Sequence, residues 1–410
     1  MARLSATEAA QLLGVSLPTL YAYVSRGLLQ SRPDGASKRR SYDGDEVRLL
    51  ARRRADAKRA GKVAERTLDW GLPVLESALT QITNGRLHYR GRDAIELAAA
   101  ATLEEVAALL WACPPERLMR GPAALSGPGA PPWAEWLTLW GDLPPLERAL
   151  VLLPAAAATM PRIWAQGRDA QLDTACSLMR ATAGALAGVA PSAVPIHRQL
   201  GAAWGVRDRR GADLLRMALV LCADHELNPS TFAVRCIAST GTHLYGAIAG
   251  GLSALSGPRH GGETIRVSAL LDEAARADDL DRYLAVRLAH DERESGGRSR
   301  LAGFGHPLYP DGDPRAVLLL DALRAYAGTR PALRDALALA AAVEAAILLR
   351  PTIDFALSVL ERTLALPRDA AFALFAAGRV VGWIAHAIEQ QADGKLIRPR
   401  ARYIGTDAPA

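Results

Sequence analysis

The chain has 410 residues, half of them hydrophobic but only 5% aromatic, with a formal net charge of +6 at pH 7. That length allows two or three domains and a large core, and the dominance of alanine and leucine favours an all-α protein over a sandwich or barrel. The positive charge is uneven: residues 1–62 carry 13 Lys+Arg against 6 Asp+Glu, a balance of +7, and the remainder carries 36 against 37. A basic appendage on a neutral body suggests a polyanion partner for the appendage.

The four cysteines, at 113, 176, 222 and 236, form no CxxC pair and no metal-ligand spacing. They read as reduced thiols of a cytoplasmic protein, with no metal site and no redox cofactor expected. The first residues, MARLSATEAA, lack an apolar signal core, so secretion is not expected. The longest uncharged run, between Arg235 and Arg259, is rich in Gly, Ser and Thr and contains His243; it reads as a buried helix, and no membrane contact is expected.

In chain order, Ser5-Ala6-Thr7-Glu8 fits a capping box that opens a helix with Ala9, Leu12 and Leu13 on one face, ended by Gly14. A second helix starts near Pro18, with Leu17, Leu20, Tyr21 and Val24 at helical spacing until Gly27. Two short helices joined by a glycine-containing turn make a helix-turn-helix. The polar stretch QSRPDGASKRRSY then reads as a small β-wing, and a third helix from about Asp43 to Ala60 turns Val47, Leu49 and Leu50 inward. After a polar hinge at 61–67, Thr83-Asn84-Gly85 marks a hairpin turn and Leu97 to Trp111 reads as one helix. Cys113 to Pro132 is a Pro- and Gly-rich loop, and alanine-rich scaffold helices follow to Leu221.

Chemistry concentrates further on. In ADHELNPS, Asn228-Pro229 reads as an N-cap and first helical position, placing His225 just upstream of a helix N-terminus, where anions are favoured. In GPRHGG, the glycines flanking His260 let a ligand approach the backbone. GFGHPLYPDGDPRA places His306 after glycines and aims Arg315 at the N-terminus opened by Asp313-Pro314. Asp354 is a lone carboxylate in RPTIDFAL, and Arg379 sits in the apolar helix FAAGRVVGWIAHAIEQ, where a buried guanidinium demands an anionic partner. His243 and His386, within apolar helices, read as core.

The order TEAAQLLGVSLPTLYAYVSRGLL, basic turn, SYDGDEVRLL resembles the winged helix-turn-helix domain of the MerR and excisionase families over roughly the first 55 residues. The resemblance implies a DNA-binding domain at 1–62. Its second helix would present Thr19, Tyr23 and Arg26 to the major groove, and the wing's Arg39 and Arg40 would hold phosphates.

ADHELN, GPRHGG, GFGH with DPRA nine residues on, ID in an apolar run, and GRVVGW followed by RPR together resemble the citrate and methylcitrate synthase family over nearly everything after residue 70. The resemblance implies an almost wholly helical domain at 63–410, with a small subdomain at roughly 262–356, working as a homodimer or higher homo-oligomer with sites completed across subunits. By that resemblance Asp354 would remove a methyl proton from acetyl-CoA, His260 would hydrogen-bond the thioester oxygen, and His306 would polarise and protonate the oxaloacetate ketone. His225, Arg315, Phe375 and Arg379, with Arg398 from the partner subunit, would bind oxaloacetate. Arg300, Leu301, Ala302, Gly303, Phe304 and Gly305 match a loop lying along CoA. The implied reaction condenses acetyl-CoA with oxaloacetate to citrate and CoA. The alternatives are propionyl-CoA giving 2-methylcitrate, or a DNA-binding regulator whose synthase-like body senses a carboxylate or acyl-CoA.

Three departures stand out: Pro307 where the family usually has arginine, Thr352 where it usually has asparagine, and no Ser-Gly after Asp354-Phe355. Proline removes a donor and a charge, and the three together leave acyl-CoA choice open.

Overall fold

The computed structural model describes residues 3–25, 29–33, 40–48, 50–51, 75–119, 130–159, 167–257, 260–294, 301–327, 329–401, 403 and 405. The chain divides into two compact units, Met1–Glu76 and Ser77–Ala410.

In the first unit, β1 (Arg3–Ser5) leads into α1 (Ala6–Leu13) and α2 (Leu17–Ser25), followed by β2 (Ser31–Pro33) and β3 (Arg40–Asp43). A further helical stretch covers 44–48 and 50–51; the rest of the expected third helix lies outside the described residues. The Ser5–Glu8 capping box forms as read, with Ser5 N–H donating to Glu8 Oε2 at 2.8 Å, and Gly14 ends α1 at φ +63°. The strands form an antiparallel sheet in the order β1-β3-β2. Ala9, Ala10, Leu13, Leu20, Leu29, Tyr42 and Val47 make its small core. Leu12, Leu17 and Tyr21, expected to face inward, are exposed instead, Tyr21 by 51%. The shared face of the two helices is narrow and centres on Ala9, Ala10, Leu13 and Leu20, with Tyr23 and Val24 packed beside it. Positions 17 and 21 fall one turn apart along the edge of that stripe.

In the second unit, β4 (Thr80–Thr83), β5 (Arg86–Tyr89) and β6 (Arg92–Asp93) form a small antiparallel sheet. Asn84 and Gly85 link β4 and β5 with φ of 50° and 70°, the two left-handed residues a type I′ hairpin turn needs. The expected helix from Leu97 to Trp111 is two helices, α3 (Ala94–Ala100) and α4 (Leu103–Trp111). Thr102 and Glu105 form a capping box there, with Thr102 N–H donating to Glu105 Oε2 at 2.7 Å, and so restart the helix.

Helices then dominate: α5 (Pro115–Met119), α6 (Trp133–Trp140), α7 (Pro145–Thr159), α8 (Arg168–Ala187), α9 (Ile196–Ala203), α10 (Arg209–Leu221), α11 (Pro229–Ala238) and α12 (Leu244–Leu255). They continue with α13 (Glu263–Ala275), α14 (Leu280–Glu294), α15 (Pro314–Ala327), α16 (Pro331–Ile347), α17 (Ile353–Thr363) and α18 (Ala370–Asp393). The 24-residue α18 is long and apolar enough to cross a membrane, but its most apolar window is wholly buried within the protein, among α4, α8, α10, α11, α12 and α17. It is the axis of this core. Trp111 Nε1 donates to Val381 C=O at 2.9 Å, which fixes α4 across it.

His243 departs from its expected core role. It is exposed, and its Nδ1 caps α12 by accepting Gly246 N–H at 3.0 Å. His386 is buried but paired, with Nε2 3.2 Å from Asp224 Oδ2.

Candidate active site

Three connections between helices and the first turn of a fourth element bring the sequence-derived residues of the second unit together. The α10–α11 turn carries His225, the α12–α13 turn carries His260, the loop before α15 carries His306, and Asp354 is the second residue of α17. Asn228 caps α11 as expected, accepting Thr231 N–H at 3.0 Å, with Pro229 first in the helix.

His225 is buried, and its Nε2 lies 3.0 Å from the Tyr309 hydroxyl. Its ring meets His306 edge-to-face at 5.1 Å between centroids. Burial, then the Arg315 charge, push the His225 pKa well below its usual value, so the imidazole is neutral. Burial likewise lowers His306 to about 4, with Arg315 adding to the effect. Leu308 N–H donates to His306 Nδ1 at 3.2 Å, so the neutral ring carries its proton on Nε2 and is a donor there. Pro307, just before Leu308, accommodates this tight turn, in which His306 and Tyr309 form a short antiparallel bridge.

His260 is lowered to about 4, by burial first and by the Arg379 charge second. Its Nε2 lies 2.7 Å from Ser230 Oγ, which donates its proton to Asn228 Oδ1 at 2.8 Å and accepts Trp383 Nε1–H at 3.2 Å. With the Ser230 proton given to Asn228, the neutral His260 ring donates Nε2–H to Ser230 Oγ.

Asp354 is half-buried, and its carboxyl is pushed up to about 7. Burial is the largest cause, followed by the Glu263 charge, against the lowering effect of Arg315. Thr352 ends the approach to α17 without capping it through its side chain, and its hydroxyl is buried without a partner. Asp313 supplies the cap instead: its Oδ2 accepts Ile353 N–H at 2.9 Å.

Two buried arginines complete the cluster. Arg315 forks onto Asp313, Nε to Oδ1 at 2.9 Å and Nη2 to Oδ2 at 2.8 Å, and faces the Tyr309 ring at 5.4 Å. Arg379 donates from Nε to Cys222 C=O at 2.8 Å, with its guanidinium carbon 4.8 Å from the centre of the Phe375 ring, one turn earlier on α18. Among the described residues no carboxylate forms an ion pair with Arg379.

The loop before His306 behaves differently from a surface cradle. Leu301, Ala302, Gly303 and Phe304 are buried and Gly305 is exposed, so ligand contacts there would come from backbone; Arg300 lies outside the described residues. Arg398 is exposed on the segment after α18. In the first unit, Thr19 is half-buried with Oγ1 2.9 Å from Ser16 Oγ, and Tyr23 packs beside the small core. Arg40 is exposed and donates to Ser31 Oγ at 2.8 Å across the hairpin, while Arg26 and Arg39 lie outside the described residues.

Tyr309, Asp313, Ser230 and Glu263 were not singled out as site residues from the sequence. Tyr309 lay within the GFGHPLYP motif and Asp313 was read only as a cap; a cap that also forks onto a buried arginine has no sequence signature.

The family model for the citrate synthase C-terminal domain matches residues 67–116 and 148–400, well over half the chain. The chain belongs to the citrate synthase family. Members of that family are condensing transferases. Citrate synthase 2 of Bacillus subtilis is 35% identical over 193 residues, 46% of this chain and 50% of that protein. The chain thus spans about half the length of the curated citrate synthases it matches here. The crystal structure of citrate synthase from Thermotoga maritima is 31% identical, with a TM-score of 0.67 over 83% of this chain and 96% of that one. A Thermoplasma acidophilum citrate synthase solved with carboxymethyl coenzyme A and oxaloacetate shares the fold at 24% identity and a TM-score of 0.66, over 83% of this chain and 96% of that one.

Proposed function

We propose that the protein condenses acetyl-CoA with oxaloacetate to give citrate and CoA. The observation that carries this reading is the clamp that joins Arg315 to the helix start of Asp354: a single buried carboxylate, Asp313, bonds both. An anion site and a carboxyl of raised pKa are thereby held in fixed relation. Asp354 takes a proton from the acetyl methyl group as the thioester becomes its enol. Once Ser230 turns its proton from Asn228 Oδ1 to Nε2 of His260, the imidazole offers Nδ1–H to the enol oxygen. Arg379, Arg315 and His225 hold the oxaloacetate carboxylates, the guanidinium groups pairing with them as forks. Nε2–H of His306 hydrogen-bonds the ketone oxygen, drawing electron density from the carbon that the enol attacks. The new carbon–carbon bond forms, the former ketone oxygen takes up a proton, and water then cleaves the thioester to release CoA. The reading includes a homodimer in which Arg398 of the other copy reaches the oxaloacetate pocket, with the 301–305 backbone along CoA.

Thiol release by the purified protein, with oxaloacetate and either acetyl-CoA or propionyl-CoA, tests this. Turnover that Asp354→Asn abolishes is expected, and the faster of the two acyl donors distinguishes a citrate from a 2-methylcitrate synthase. Turnover no greater than that of the Asp354→Asn variant overturns the enzyme reading.

A second reading applies to the first unit. Two helices joined at Gly14, a neighbouring strand hairpin and a balance of +7 over residues 1–62 support DNA binding by a MerR-like winged helix-turn-helix. Retention of duplex DNA should weaken steeply as salt rises, and its absence at low salt would reject this role.

A further inference from the structure

Glu263 opens α13 three residues after His260 and is half-buried. Its Oε1 accepts Gly303 N–H at 2.9 Å, and its Oε2 meets Arg266 Nη1 at 3.1 Å. Gly303 lies at φ +81°, and a Cβ there would fall 2.6 Å from Val267 Cγ2 and 3.1 Å from Phe355 Cβ. Its C=O accepts Thr352 N–H at 2.8 Å. Gly303 is therefore gripped on one side by Glu263 and on the other by the residue that starts the helix of Asp354, while its Cα faces Phe355, the next residue after Asp354.

We infer that Glu263 is a positioning residue for Asp354: its carboxylate ties Gly303 to α13, Gly303 in turn holds Thr352 at the start of α17, and a second negative charge is thereby kept on the base's side of the site. The inference rests on the proposed role of Asp354 as base. Two other charged groups act on Asp354 among the described residues, and the elements packed against α17 carry more. Arg315 opposes Glu263, and Asp313 adds to it. Glu344, near the end of α16, pairs with Arg350 just beyond that helix at 2.8 Å. On α18 Arg379 is bonded to the carbonyl of Cys222, whose thiol is itself raised to about 12 by burial. A like charge held next to a half-buried carboxylate favours its protonated form, so Glu263 makes Asp354 a stronger base once ionised and delays its ionisation to higher pH.

The test uses the full chain with Glu263→Gln and Glu263→Ala. Glutamine keeps an oxygen that accepts Gly303 N–H but removes the charge; alanine removes both. Carbonyl 13C NMR of aspartate-labelled protein, with the Asp354 signal assigned by its loss in Asp354→Asn, reads the titration directly. The Glu263→Gln midpoint should fall by about half a unit or more, and the ratio of turnover at pH 6 to turnover at pH 8 should rise about threefold. Glu263→Ala should in addition raise KM for the acyl-CoA, which Glu263→Gln leaves near the wild-type value. A Glu263→Gln midpoint equal to wild type overturns the inference. The NMR titration needs no turnover, so an inactive protein would reject the enzyme reading while the midpoint still decides the role of Glu263.

Discussion

Asp313 Oδ2 accepts the backbone N–H of Ile353 at 2.9 Å across 40 residues of sequence, while the same carboxylate forks onto Arg315. One side chain thereby sets the spacing between an anion-binding guanidinium and the helix that carries the base. Asp313→Asn should leave Arg315 buried without an ionic partner, costing about 3 kcal/mol of stability, because a lone buried charge is expensive. Urea denaturation together with thiol release checks it: both stability and turnover should fall, and a loss of stability alone would detach Asp313 from the site.

Asp354→Asn should lower turnover by ~10³-fold, the scale of a lost general base. Stability should move the other way. Burial pushes the folded carboxyl up to about 7 from an ordinary value of 3.8, so between those values the native state holds a proton that the unfolded chain has released. Stability from this group is therefore full at low pH and is lost as pH rises through about 7. Removing the charge should raise Tm at pH 8 and leave it nearly unchanged near pH 3.

Three imidazoles of the site, His225 buried and His260 and His306 half-buried, shift in the opposite sense. His260 and His306 fall to about 4 and His225 lies well below 6.5, so on acidification the unfolded chain binds protons that the fold refuses. Their contribution is lost as pH drops from about 6.5 towards 4, and three such groups outweigh the gain from Asp354. Tm should decline over that window, and His306→Asn should make the decline shallower.

Gly303→Ala should destabilise the protein by about 2 kcal/mol or more, since the backbone is left-handed there and the added methyl meets Val267 and Phe355. A raised KM for the acyl-CoA is the functional readout. Gly85→Ala makes a useful contrast, because φ is also positive but nothing lies within 4 Å of the added atom. Its cost should be backbone strain alone.

How much of this the sequence made legible depended on how local each cause was. The Ser5–Glu8 box, the Asn84-Gly85 turn and the Asn228-Pro229 cap are settled within four residues and could be read directly. The break at Thr102 has an equally local cause, but the apolar period runs on across it and masks Thr102-x-x-Glu105. Burial phase on α1 and α2 was less readable, since which edge of a short amphipathic helix meets its neighbour depends on the partner surface, and Leu12, Leu17 and Tyr21 ended outside. His225, His306, Arg315 and Arg379 were visible as chemically odd residues in capped or apolar settings. Asp313 holds Arg315 from two residues away and is visible only as a cap, while Tyr309 and the Cys222 carbonyl reach His225 and Arg379 from distant parts of the chain and carry no pattern of their own.

Two glycines of α18 set how closely the two halves of the anion pocket approach each other. At Gly378 a Cβ would come within 2.6 Å of the Leu219 carbonyl oxygen, and at Gly382 it would collide with Asp224 and the Ala223 carbonyl, whose oxygen accepts Gly382 N–H at 2.9 Å. The turn bearing His225 thus rests on the helix bearing Arg379 main chain against main chain. The separation of those two ligand-facing groups is then a matter of bond lengths and helical pitch, which no neighbouring apolar side chain sets.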